Sequence, residues 1–142
     1  MRVRYLIVIL FVLALLSPSP LRAQTPRHRV VVEVVTVLSD GWAFALSNVE
    51  TLQREFGPSN IEIEVVVHGP ALSMLHKTDT DFAARIQRLS EHGVRFVASR
   101  RTMRDKRLTP ADMFPFVSLV DSGVGEIVRK QEAGWIYIKS GY

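Results

Sequence analysis

The sequence predicts an α/β fold in which helices cover both faces of a mainly parallel, five-stranded sheet, giving three layers in the order α/β/α. Five short runs rich in β-branched and aromatic residues have the composition of strands, and segments of helical periodicity separate them. Most of these runs are almost continuously apolar, which is typical of strands buried on both faces. The strict alternation favours right-handed crossovers between parallel strands.

The first strand is predicted over residues 30–38, where the run VVVEVVTVL is β-branched and almost wholly apolar. A turn at residues 39–41 leads into a helix over residues 42–56, because apolar residues recur there at spacings of three and four. Gly57 and the following proline end this helix. The second strand is predicted over residues 61–68 (IEIEVVVH), closed by a Gly-Pro pair.

The middle of the chain predicts two helices and the third strand. A short helix is expected over residues 71–77, and Asp79 or Thr80 is expected to cap a longer one that ends at a His-Gly pair. The buried stripe of the longer helix is predicted to consist of Phe82, Ile86 and Leu89. The third strand follows over residues 94–99 (VRFVAS).

The last third of the chain completes the alternation. Residues 100–108 are polar and predicted to be partly helical, and residues 109–112 (TPAD) have the cap and proline of a helix start. The fourth strand is predicted over residues 116–120, and the fifth over residues 135–139 (WIYIK). Between them lies a helix over residues 122–133, whose inward side chains are predicted to be Val124, Ile127 and Val128.

The first 23 residues have the pattern of a secretory signal peptide. Two arginines precede an apolar run over residues 5–16, a Ser-Pro-Ser-Pro break follows, and Ala23 offers a small residue before a cut. We therefore expect a signal peptide over residues 1–23, a domain over residues 24–142, and a periplasmic or secreted protein. An uncleaved N-terminal membrane anchor is the alternative. The apolar run is shorter than the roughly 20 residues of a span, so no stable span is expected after cleavage.

The net charge of the whole chain, +4, overstates how basic the expected domain is. Removing Arg2, Arg4 and Arg22 with the signal peptide leaves 15 basic against 14 acidic residues. A domain so close to neutral does not have the charge of a nucleic-acid-binding protein. Basic residues still cluster within residues 100–107, where a solvated helix face and an anion-binding rim are both open interpretations.

The chain contains no cysteine, which removes several kinds of chemistry. Disulfides, cysteine nucleophiles and structural cysteine–zinc sites are all excluded. The four histidines lack the spacing of a metal-binding motif, and the glycines do not form a dinucleotide fingerprint. We therefore predict neither a metal nor a cofactor, and we assign no catalytic residue.

The candidate ligand site lies at the ends of the predicted strands, since parallel sheets bind ligands beyond the carboxyl ends of their strands. His68 could be a base, a ligand or a hydrogen-bonded structural residue. The Ser122-Gly123 turn could hold an anion through backbone N–H groups, or simply begin a helix. Ser99 lacks the flanking glycines of a nucleophile elbow. The candidate ligand-binding residues are His68, Gly69, Ser99, Arg100, Ser122 and Gly123.

Three phrases of the sequence resemble the DsrE/DsrF-like proteins: residues 65–77 (VVVHGPALSMLHK), 93–103 (GVRFVASRRTM) and 122–139 (SGVGEIVRKQEAGWIYIK). The first predicted helix also fits that group through Trp42, Ala45, Leu46 and Asn48. The resemblance covers essentially the whole expected domain. It implies a five-stranded α/β/α fold, flavodoxin-like in style, and a tendency to form homo- or hetero-oligomers. The apolar run at residues 135–138 agrees with a homo-oligomer.

The best-known members of that family carry sulfur as a persulfide on a cysteine, and the resemblance places that cysteine at Ser99. A serine hydroxyl is a far weaker nucleophile and forms no comparable carrier. We therefore expect an exported, non-catalytic module that binds a partner or a small anionic or sulfur-containing ligand, with a role related to sulfur metabolism. The alternatives are an enzyme that uses His68 with Ser99 or a bound cofactor, and a purely structural subunit of an oligomer.

Overall fold

The computed structural model describes residues 28–79 and 81–140. The predicted signal peptide and the candidate cap Thr80 lie outside these residues. The strands are β1 (His28–Val34), β2 (Ile61–Val67), β3 (Arg95–Ser99), β4 (Ser118–Val120) and β5 (Ile136–Ser140). The α-helices are α1 (Ser39–Phe56), α2 (Ala83–Glu91), α3 (Arg100–Asp105) and α4 (Gly123–Glu132). Short 3₁₀ segments lie at Gly69–Leu75 and Pro110–Asp112.

The sheet has five strands in the order β4-β3-β2-β1-β5, and every neighbouring pair is parallel. The α/β fold predicted from the alternation is therefore confirmed. The first three crossovers move along the sheet in one direction, and the last returns past β1 to its other side. Because such crossovers are right-handed, α1, α2 and α3 belong to one face of the sheet and α4 to the other.

The two faces bury very different amounts of apolar surface. On the face of α1, alternate residues of β1, β2 and β3 pack against Trp42, Leu46 and Ile86 in the main core. On the face of α4 the core is small and consists of Val31, Val66, Ile127 and Trp135. Each large apolar side chain buried in this way contributes roughly 1.5–3 kcal/mol. The α1 face is therefore the principal source of stability, and the α4 face has room for polar groups.

Several element boundaries differ from the predictions. Strand β1 ends at Val34, four residues early, because Val34 pairs with Val67 at the end of β2 and the next residues have no ladder partner. Helix α2 begins at Ala83 with no side-chain cap, later than a cap at Asp79 would place it. The fourth strand begins at Ser118, after Phe114 and Phe116 have stacked with their ring centroids 5.4 Å apart.

The prediction that Val124 and Val128 face inward is wrong. They are 58% and 49% exposed, and only Ile127 of the predicted stripe is buried. The reason lies in the sheet order. Among the described residues, α4 is the only helix on its face of the sheet, so no neighbouring helix covers the sides of α4 that turn away from the sheet. On β5, Ile136 is also 56% exposed. The expected self-association stays a prediction. None of the described helices combines the length and the apolar stretch needed to cross a membrane.

Candidate functional site

A cleft of about 420 Å³ opens at the carboxyl edge of the sheet. It lies where β2 and β3 end and where α3 and α4 begin. Its walls come from segments that are far apart in the sequence, as the rule for parallel sheets predicts. The lining residues are His68, Gly69, Ser99, Arg101, Thr102, Asp105, Ser122, Gly123, Val124 and Gly125.

Five of the six residues predicted from the sequence line this cleft, and Arg100 does not. Arg100 instead lines a smaller cavity on the other side of α3, with Met103, Arg104 and other residues. Successive residues of a helix point about 100° apart, so the first two residues of α3 face different cavities. The cation at the cleft is therefore Arg101, one position later than predicted.

His68 is held at the cleft by a carboxylate that the sequence analysis did not single out. Its backbone N–H donates to the carbonyl of Val34 at 3.3 Å, which continues the β1–β2 ladder by one bond. Its Nε2 lies 2.8 Å from Oε1 of Glu33. The hydroxyl of Tyr137 donates to the other oxygen of Glu33. The three side chains come from the β1, β2 and β5 regions and form one hydrogen-bonded chain that leads to the cleft.

The pKa shifts of Glu33 and Tyr137 agree with a charged Glu33. Burial by itself would raise the pKa of Glu33, but the hydrogen bonds from Tyr137 and His68 outweigh it and hold the pKa below its usual value. Burial, together with the hydrogen bond to Glu33, raises the pKa of Tyr137 to about 12. Glu33 is therefore a carboxylate that accepts two hydrogen bonds, and Tyr137 is a neutral donor.

Gly123 is required by the packing of His68. A Cβ atom at position 123 would lie 2.7 Å from Cβ and 2.9 Å from Cγ of His68, which is closer than carbon atoms approach each other. The imidazole therefore packs directly on the backbone at the start of α4. The preceding residue, Ser122, caps that helix by accepting a hydrogen bond from the N–H of Gly125 at 3.2 Å.

Ser99 is a buried helix cap. Only 2% of its surface is exposed, and its hydroxyl oxygen accepts a long hydrogen bond, 3.4 Å, from the N–H of Thr102 in α3. Thr102 in turn accepts a hydrogen bond from the N–H of Gly69 at 3.0 Å, which ties the segment after β2 to α3. The position that the resemblance assigns to a cysteine thus lies at the base of the cleft, directly before a helix.

The sequence analysis did not name Glu33, Tyr137 or Thr102, and it considered Arg101 only as part of the basic cluster at residues 100–107. Glu33 carried a visible signal, because it is the only charged residue in the apolar run VVVEVVTVL. A charge at such a position requires a partner, and the partner proves to be His68. Tyr137 gave no comparable signal, since it stands among the apolar residues of the last strand.

A larger cavity, about 670 Å³, lies between α1 and α2 and is lined by Glu50, Arg88, His92 and neighbouring residues. It is not at the carboxyl edge of the sheet. Glu50 at its border is already paired with Arg85 at 2.7 Å. Among residues 28–79 and 81–140, no three acidic or histidine side chains group closely enough to hold a metal ion. The smaller cleft does lie at the carboxyl edge, where parallel sheets bind ligands, and we therefore take it as the candidate site.

Comparisons with known proteins agree with this architecture. The sequence profile of the DsrE/DsrF-like family matches residues 34–140. The chain is similar to the solved structure of a protein of unknown function from Methanobacterium thermoautotrophicum, with 32% identity and a TM-score of 0.75, over 79% of this chain and 98% of that one. A conserved protein of unknown function from Bacteroides thetaiotaomicron shares the fold at 10% identity, with a TM-score of 0.63 over 78% and 93% of the two chains. The comparison with curated proteins found no match.

Proposed function

The chain belongs to the DsrE/DsrF-like family, and from that premise we propose that it is a non-catalytic module that binds a small anionic or sulfur-containing ligand in the cleft beside His68. The observation that carries the proposal is the meeting of His68, Arg101 and the start of α4 at one cleft. With no cysteine in the chain, a ligand held there would be bound without a covalent bond to sulfur of the protein.

The backbone contributes most of the recognition in this proposal. Among the residues that the structure describes, the N–H groups of Gly123 and Val124 have no hydrogen-bond acceptor, as expected for the first turn of a helix. Such groups bind anions, and the helix dipole adds to the attraction. Arg101 and Asp105, which carry opposite charges, lie about one turn apart on α3 and both line the cleft. Arg101 therefore serves the anion in part by balancing Asp105.

Arg101→Gln tests this proposal, with Arg100→Gln as the matched control. Removing Arg101 leaves Asp105 uncompensated at the cleft, so we expect thiosulfate to bind about tenfold more weakly, consistent with the loss of one charge-assisted contact. The neighbouring change removes the same charge from the same helix but outside the cleft, and should alter affinity by less than about twofold. Backbone amide shifts of Gly123 and Val124 during a thiosulfate titration measure both affinities.

Equal weakening by the two variants would mean that only the overall charge of α3 attracts the anion. A wild-type titration that leaves the amides of Gly123 and Val124 unshifted would contradict the proposed site itself.

Ser99→Cys tests the relation of this position to the persulfide chemistry that the resemblance implies. The new thiol would sit before the first turn of α3 and close to Arg101, two features that favour the thiolate. The thiolate would take the outer sulfur of a low-molecular-weight persulfide and release the donor as a thiolate. We expect the variant to gain the mass of one or more sulfur atoms, reversibly with reductant, and the wild type to gain none.

Intact-protein mass spectrometry measures this gain. A folded Ser99→Cys protein that stays unmodified would contradict the assignment of this position to the carrier cysteine. Sulfur loading of the wild type would contradict the proposed non-covalent role.

One observation favours the alternative of an enzyme. A histidine whose ring is oriented by a carboxylate, as Glu33 orients His68, is the usual arrangement of a general base. The hydroxyl of Ser99, however, already serves as the cap of α3. This arrangement supports proton transfer by His68 more than nucleophilic attack by Ser99.

Export and self-association complete the proposal. The charged start, apolar run and small residue at positions 1–23 support export. The exposed apolar side chains of Val124 and Val128 on α4, and of Ile136 and Tyr137 on β5, support association with a second copy of the chain.

A further inference from the structure

Glu33, Tyr137 and His68 form a hydrogen-bonded chain on the α4 face of three neighbouring regions of the sheet. In the register, Glu33 of β1 pairs with Val66 of β2, two residues before His68, and with Lys139 of β5, two residues after Tyr137. All three side chains therefore fall on the same face, because side chains two residues apart in a strand share a face. The hydrogen bonds therefore lead from Tyr137 on the edge strand β5, through Glu33, to His68 at the cleft.

We propose that Glu33 and Tyr137 are positioning residues that hold the ring of His68 with Nε2 toward Glu33, so that Nδ1 is the nitrogen that meets the bound anion. The part of this inference that concerns the ligand rests on the function proposed above. The part that concerns the ring does not, because the orientation and the tautomer are properties of the protein without ligand.

The first support is the chemistry of the contact. An ionised carboxylate only accepts hydrogen bonds, so Nε2 at 2.8 Å from Glu33 must carry a proton. Tyr137 donates to the second carboxylate oxygen of Glu33. Because both oxygens accept a hydrogen bond, rotation of the carboxylate is restricted. Lys139, beside Glu33 on the same face, further favours its charged form and helps hold the pKa of Glu33 below its usual value.

The second support is the surroundings of the ring. Gly123 packs against Cβ, Cγ and Cδ2 of His68, so that edge of the side chain is covered by backbone. Among the described residues, Nδ1 has no hydrogen-bond partner, while His68 lines the cleft. With Nε2 engaged, Nδ1 is the ring nitrogen left to meet a ligand. When the ring is charged, Nδ1–H donates to an oxyanion and Glu33 balances the positive charge.

The experiment compares Glu33→Gln and Tyr137→Phe with Glu62→Gln, a matched control on the same face at the opposite end of β2. Nitrogen-15 spectra of the imidazole rings, with the His68 signal assigned by its loss in His68→Asn, report the tautomer at a pH where the ring is neutral. We expect the wild type and Glu62→Gln to hold the proton on Nε2. Glu33→Gln should give a mixture of tautomers, and Tyr137→Phe a smaller shift in the same direction.

The second readout is thiosulfate affinity at a pH where the ring is charged, because only the charged ring donates a hydrogen bond from Nδ1. We expect this affinity to fall at least about tenfold in Glu33→Gln, which removes the carboxylate that balances the charge of the ring; the size is that seen for groups that orient metal-ligating histidines. Unchanged tautomers in both variants would overturn the positioning role. A tautomer shift without loss of affinity would overturn the assignment of Nδ1 to the ligand. If the wild type binds no thiosulfate, the proposed function fails, and the ring spectra still decide the positioning role.

Discussion

Replacing Lys130 by methionine should lower the free energy of unfolding by about 3 kcal/mol, because it leaves a carboxylate buried without its main partner. Glu64 on β2 is fully buried on the α4 face. Its Oε2 lies 2.8 Å from Nζ of Lys130 and 2.9 Å from Nη2 of Arg95. Arg95 is half-exposed and keeps part of the compensation. Methionine matches the length of the lysine stem, but the contact of Nζ with the ring of Trp135, 4.1 Å to the centroid, is lost with the charge and adds to the destabilisation.

The size of this loss should depend on pH in a definite direction. Burial raises the pKa of Glu64, and the neighbouring charge of Lys130 lowers it only in part. A carboxyl with a raised pKa stabilises the fold most at low pH, and its contribution is lost as the pH rises through the folded-state pKa. Without Lys130 the pKa rises further. The destabilisation should therefore be larger at neutral pH than in mild acid.

Urea unfolding of Lys130→Met at several pH values measures the effect, with Lys106→Met as the control at an exposed lysine of the polar segment after α3. The control should change stability by no more than about 0.5 kcal/mol. The double variant Glu64→Leu with Lys130→Met should recover most of the loss, since it removes the buried charge together with its partner. If Lys130→Met is as stable as Lys106→Met, Lys130 has no compensating role for Glu64.

Gly123→Ala should have the largest effect on the cleft. The added Cβ would lie 2.7 Å from Cβ of His68, so either the ring or the start of α4 must move. Such overpacking costs typically 1–3 kcal/mol, and we expect about 2 kcal/mol. Because the displaced ring no longer meets the cleft in the same way, thiosulfate affinity should fall at least about tenfold.

Gly125→Ala is the matched control, two residues later in the same first turn. Its Cβ would approach Nη1 of Arg129 and Cβ of Ser122 at 3.4 Å, and the flexible arginine can give way. Alanine favours a helix over glycine by up to about 1 kcal/mol, so this variant should keep its stability or gain slightly. Thermal unfolding and the thiosulfate titration compare the two. Equal behaviour of the two variants would show that the contact with His68 does not restrict position 123.

The strand and helix patterns were sufficient to predict the alternation, because burial on both faces leaves continuous apolar stretches such as residues 65–67. They were not sufficient to predict which stripe of α4 is buried. Val124 and Ile127 have the same spacing as any helical apolar stripe, and only the sheet order shows that no other helix within residues 28–79 and 81–140 shares the face of α4. Strand order depends on which crossover reverses, and no local pattern in the chain encodes that choice.

The absence of cysteine already excludes thiol chemistry by this protein's own side chains, and the rule for parallel strands was enough to predict that His68, Ser99 and Gly123 lie near one another. That Glu33 and Tyr137 join His68 became visible only in the folded structure. Glu33 lies 35 residues from His68 and 104 residues from Tyr137 in the chain. Contacts at such separations arise from the register of β1 with β2 and β5, which is set by packing of the whole sheet rather than by neighbouring residues.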